Sequence, residues 1–227
     1  MSDATALEET LAWLRHSAVG RGDDVSVAFR PDTGLGLACR AGHISVRCGD
    51  PVAVIEQIEA AIAPRWMWWD RSTADQLAER SVGIARCWDV LTVHRLLHGG
   101  WQTSTARAWA WLHDLSIESL PTMGQLNLLG SLSDEGDDPE NPVRPDGHLR
   151  PEWVTGGWAA SPERLARWAV LTLEVVELQR TLLAKLPMPD RATSTAHAES
   201  AAEFLCAELT LEGLPIDNDE VHRIIAE

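Results

Sequence analysis

The sequence contains no tyrosine and only two phenylalanines, so its eleven tryptophans must supply nearly all the aromatic packing. The four cysteines include no close pair, which points to reduced thiols filling apolar runs rather than a disulfide framework or a zinc knuckle. Basic residues are scarce: 19 stand against 34 acids, a net charge of −15. A surface this acidic repels phosphate, so the chain alone is a poor nucleic-acid clamp. No run approaches a membrane span, and the first residues lack the basic-then-apolar pattern of a secretory signal. A cytoplasmic location with no membrane partner is therefore expected. What is present is ample apolar material, 45% of 227 residues, enough for one good core or one domain plus part of another.

Residues 66 to 98 organise the chain. Trp66, Trp68 and Trp69 form a short apolar run of the kind that becomes a strand covered on both faces. Ser72 is a cap for a short helix over 72–80, and 82–87 reads as a second strand. Asp89 stands where an N-cap belongs, before Val90, Val93, Leu96 and Leu97 on one helical face, and Gly99-Gly100 ends that helix. Upstream, periodic leucines predict a helix over 3–19. Short strands at 25–30, 34–40 and 43–48 are separated by turn residues, which makes an antiparallel meander. Asp50 and Pro51 start a helix that Pro64 halts, with Val52, Ile55, Ile58 and Ile62 inward. The order is α/β: a meander joined to right-handed crossovers, giving a mixed sheet flanked by helices, as in ribonuclease H-like folds.

A helix is expected at 104–115. Residues 116–157 then turn rich in Pro, Gly, Asp and Glu, which predicts an exposed, acidic, mostly disordered loop. Ser161 and Pro162 open a long helix to about 186 with Leu165, Trp168, Ala169, Thr172, Val175, Val176, Leu182 and Leu183 inward. Residues 187–198 read as a linker. A short helical C-terminal extension follows: a helix over 199–212 with Ala201, Ala202, Leu205 and Leu209 inward, then a last helix capped by Asp217 with Glu220.

Two segments carry a family resemblance. WDVLTVHRLLHG, following SVGIARC, is similar to a strand-to-helix step in the proofreading-type domain of family A (DNA polymerase I type) DNA polymerases. ESAAEFLCAELTLEGLPIDNDEVHRII resembles the stretch where those enzymes begin their polymerase domain, in the style of actinobacterial bifunctional 3′-5′ exonuclease/DNA polymerases. The resemblance implies an exonuclease-like domain over 1–186, a linker over 187–198 and the start of a truncated polymerase domain over 199–227. It implies a role in DNA replication and repair, and contact with DNA only through the missing polymerase domain.

The family's exonuclease site uses four carboxylates around two metal ions about 4 Å apart. Here Arg30 and Asp32 fall where the first two acids belong, Asp70 or Thr73 where the second motif belongs, and Trp168 near the last aspartate. No tyrosine exists to serve that last motif. The residual acids are Asp32, Asp70 and Asp89, and the chain alone is expected to be inactive. No cofactor is expected in it; magnesium belongs to the full-length family enzyme. Whether it retains any enzymatic activity stays open, with a non-enzymatic partner-binding module as the alternative.

Gln125, Leu126, Asn127, Leu128 and Leu129 resemble the short peptide by which bacterial polymerases hold the sliding clamp, with Leu129 in place of an aromatic. Gln125 would hydrogen-bond the clamp backbone while Leu126, Leu128 and Leu129 meet an apolar pocket. The plainer alternative is that these leucines tack the loop to the domain. His94 and His98 stand four apart, a metal-binding spacing, but no Glu or Cys completes a set nearby, and ordinary surface histidines are the better account. The tryptophan run at 66–69 fits a core strand better than a base-stacking platform, because stacking binders pair aromatics with basic grooves.

Overall fold

Five strands build one mixed sheet in a computed structural model that describes residues 2–100, 103–122, 138–213 and 216–226. They are β1 (Asp24–Arg30), β2 (Gly34–Cys39), β3 (Gly42–Val46), β4 (Arg65–Trp68) and β5 (Cys87–Asp89). The order is β3-β2-β1-β4-β5. The first three are antiparallel, and β4 and β5 run parallel to β1. These are the order and senses expected of a ribonuclease H-like sheet.

Alternation along the strands sorts the core into two layers. Val25, Val27 and Phe29 of β1, with Trp66 and Trp68 of β4, face one layer. There they meet α1 (Asp3–His16), α2 (Pro51–Ile62) and α3 (Arg71–Ala78). Ala28, Met67, Trp69 and Trp88 face the other. That layer holds α4 (Val90–His98), α5 (Thr105–Leu112), α6 (Pro151–Val154) and α7 (Pro162–Leu183). α7 lies directly on β2: a Cβ at Gly36 would stand 2.2 Å from the backbone of Leu165 and Ala166. The buried Ser26 hydroxyl donates to Ala169 O at 2.7 Å and fixes the same contact on β1. Gln179, deep on α7, accepts from Trp88 Nε1 and donates to Val90 O, each at 2.8 Å.

The helix starts follow the sequence closely. Asp50, Asp89 and Ser161 cap α2, α4 and α7 with side-chain bonds to backbone N–H groups. Asp70, rather than Ser72, caps α3. The strand expected at 82–87 is shorter and later, at Cys87–Asp89, because Ser81 turns through a left-handed conformation and Val82 plugs the core instead of joining the ladder.

Two further expectations are corrected. Residues 189–198, expected as linker, are the first half of a single helix, α8 (Pro189–Glu212). Its buried side is Ala196, Ser200, Phe204 and Ala207, whereas Ala201, Ala202, Leu205 and Leu209 are exposed. The reason lies in what α8 covers. β5 is an edge strand with unpaired backbone groups, and Ser200 Oγ accepts from Asp89 N at 3.1 Å while Ser200 O receives the Cys87 thiol. Close approach to a strand edge requires small and hydroxyl side chains, not leucines.

The second correction concerns 138–157, expected to be disordered. Those residues form an ordered strap, with Leu149 and Trp153 buried. Trp109 Nε1 donates to Gly147 O at 2.9 Å, and Arg164 of α7 pairs with Glu140. Of the four thiols, Cys39, Cys48 and Cys87 are buried as expected, but Cys206 is exposed. α9 (Asn218–Ile225) is capped by Asp217 and shows Val221, Ile224 and Ile225 to solvent. Among the described residues, no helix is long and apolar enough to cross a membrane.

Candidate functional site

The C-terminal edge of the parallel strands is where open α/β sheets place their ligand crevices. At this edge β1 contributes Ala28, β4 leads into Trp69 and Asp70, α3 contributes Thr73 from its first turn, and α7 contributes Trp168. Together they line a small cavity of about 50 Å³. Tryptophans fill most of the space around it. Trp69 and Trp168 lie 5.2 Å apart between ring centres, and Trp158 stacks on Trp168 at 6.2 Å with 9° between planes. Trp153 sits behind Trp168 at 6.3 Å, with the Arg164 guanidinium 4.8 Å over its ring. The Trp69 indole N–H is buried and has no acceptor among the described residues.

The three residual acids do not converge there. Asp32 is exposed on the β1–β2 turn in a left-handed conformation, its N–H donating to Gly49 O. Asp70 does line the cavity, but its Oδ1 accepts both the N–H and the hydroxyl of Ser72. Asp89 is 1% exposed; its Oδ2 accepts Trp68 Nε1 at 3.0 Å and its Oδ1 accepts Thr92 N at 2.8 Å. Burial pushes the Asp89 carboxyl up to about 7, against the opposing pull of its bonds to Thr92 and Trp68, and the nearby Asp70 charge adds to the rise. This carboxylate locks the end of β5 to α4 and to the Trp68 ring. It is a structural acid.

The placement of the first-strand acids is also corrected. The β1–β4 ladder pairs Ser26 with Met67, and continuing it brings Ala28, not Arg30 or Asp32, beside Thr73 and Trp168. Arg30 is exposed at the strand's end. A pair of magnesium ions does not fit these residues: the edge offers an alanine, a threonine and tryptophans, with one acid, Asp70, whose Oδ1 already caps α3. Among the described residues, no three His, Cys, Asp or Glu side chains gather as a metal site.

Elsewhere, the structure brings His94 and His98 together beside Trp111. The tryptophans at 66–69 are core, as expected. Gln125, Leu126, Leu128 and Leu129 lie outside the described residues. The aromatic lining escaped sequence reasoning in part, because Trp153 and Trp158 sit in a stretch whose average composition is polar.

Comparison with protein-family models, with curated proteins and with solved structures found no match.

Proposed function

We propose that this chain is the exonuclease-like, N-terminal portion of a family A DNA polymerase, serving DNA replication or repair as a scaffold that does not itself cleave. One observation carries the reading. At the sheet edge where a proofreading site would gather acids, this chain gathers Ala28, Thr73 and Trp168 around a cavity of about 50 Å³ packed with tryptophan. Phosphodiester hydrolysis by two metal ions needs several carboxylates with free oxygens on one point. Asp70 caps a helix through Oδ1, Asp89 is buried with both oxygens bonded, one to Thr92 N and one to Trp68 Nε1, and Asp32 lies on a turn apart from them. The strand order supports the scaffold half of the reading. The exposed Val221, Ile224 and Ile225 of α9 fit a surface that the rest of such a polymerase domain covers.

The test is a hydrolysis assay on a 5′-labelled single strand with magnesium or manganese. The labelled strand keeps its length with the wild-type chain and with Asp70→Ala alike. Metal-dependent shortening that Asp70→Ala abolishes would overturn the proposal.

A further inference from the structure

α8 carries apolar residues on two opposite sides. One side, with Ala196, Ser200, Phe204 and Ala207 buried, packs on β5, α3 and α4. The other carries Thr195, Ala198, Ala202, Leu205 and Leu209, and every one of them is exposed. Leu205 is 50% exposed and Leu209 37%. These five are spaced three, four, three and four residues apart, the a-and-d rhythm by which one helix packs along another. The seam they form runs about four turns, roughly 21 Å at the rise of an α-helix. Solvent does not ask for that register, because a helix face turned to water is ordinarily polar. Ala198, Ala201 and Ala202 let a second backbone come close along the first half, and the two leucines supply knobs along the second.

Charge says what kind of helix fits. By helical position Glu199 lies on one flank of the seam, and Glu208 and Glu212 lie on the other. Among the described residues none of these three is ion-paired, whereas Glu203, nearer the buried side, is held by Arg71 and Arg95. Asp190 and Arg191 stand about one turn before the seam begins. A second copy of the chain would set acidic flanks against acidic flanks, and each copy carries a net charge of −15. Like-charge repulsion opposes that pairing. We propose that the outer face of α8 docks an amphipathic helix of a partner protein, one with apolar residues at its a and d positions and Lys or Arg on its flanks. The apolar seam sets the register, and the unpaired glutamates select a basic partner over an acidic one. This surface is separate from the tryptophan-lined sheet edge and does not depend on the polymerase reading.

The experiment is fluorescence anisotropy with a labelled peptide about three heptads long, carrying Leu at a and d and Lys at e and g, titrated with the whole chain. Lysine at both flanks keeps the peptide from pairing with itself. Saturable binding is expected, roughly tenfold or more weaker in Leu205→Asn and in Leu209→Asn. Both leucines are exposed, so both variants keep the fold, which unchanged thermal unfolding checks. The same peptide with Glu in place of Lys should bind roughly tenfold or more weakly, and so should one with Ser in place of Leu, which separates seam docking from general attraction to an acidic surface. Sedimentation of the chain alone should show a monomer. Absence of binding, equal binding by wild type and both leucine variants, or a dimer that Leu205→Asn dissolves overturns the proposal.

Discussion

Asp89 makes the pH dependence of stability predictable in sign and size. Its carboxyl titrates at about 7 in the folded chain, against the ordinary 3.8. Between those values the folded state holds a proton that the unfolded state has released. Stability therefore falls as pH rises through the window from about 4 to about 7, and levels off above it. A gap of about three units corresponds to about 4 kcal/mol at most. His94 works in the opposite direction. Its folded value is about 4 and its ordinary value 6.5, so its contribution rises with pH over nearly the same window. The wild-type profile is then partly cancelled, and the raw curve conceals both groups. Asp89→Asn isolates the acid: it keeps the shape and one acceptor oxygen, removes the titration, and leaves His94 in place. Urea unfolding at pH 5 and pH 8, followed by tryptophan fluorescence, gives four free energies. The difference between wild type and Asp89→Asn should shift by about 2.5 kcal/mol toward the variant at pH 8, because the part of the effect between 3.8 and 5 is already spent at the lower pH, whatever the variant costs there. A shift below about 1 kcal/mol would mean that Asp89 is ionised in the fold at both pH values, and the account of its burial would fail.

The close seating of α7 on β2 predicts that Gly36→Ala destabilises by about 3 kcal/mol through overpacking, since its Cβ meets backbone rather than a yielding side chain. Gly83→Ala, which meets nothing within 4 Å, is the control and should stay near wild type in the same unfolding assay. Ser200→Ala leaves the buried Asp89 N–H without its acceptor and should cost about 1–3 kcal/mol, while Ala201→Ser on the exposed side of α8 should be neutral. A labelled peptide over 120–135 titrated with a bacterial sliding clamp should show saturable anisotropy, strengthened by Leu129→Phe; no change with either peptide retires the clamp motif.

The legible parts of this fold are those determined by local chemistry. Asp50 before Pro51, Asp89 before an apolar face and Ser161 before Pro162 announce helix starts, because an N-cap solves a problem internal to one helix. α8 was misread because its inner face answers a problem set elsewhere. The edge of β5 needs a hydroxyl and small neighbours, so Ser200 and Ala196 are buried while Leu205 and Leu209 are left in solvent. A hydrophobic pattern cannot reveal that, since it scores Ser200 and Ala196 below the exposed leucines. The strap at 138–157 was hidden by its own average: two deep anchors, Leu149 and Trp153, suffice to hold it against α5 and α7 despite acidic surroundings. The sheet-edge site falls between these cases. Thr73 and Trp168 were aligned with it from helix positions, but the first-strand partner depends on how β1 registers against β4. A shift of two residues along a strand keeps the face and changes the depth, so Ala28 rather than Arg30 reaches the edge. Neither residue is an acid: the edge carries the methyl group of Ala28, and the Arg30 cation lies exposed at the end of β1.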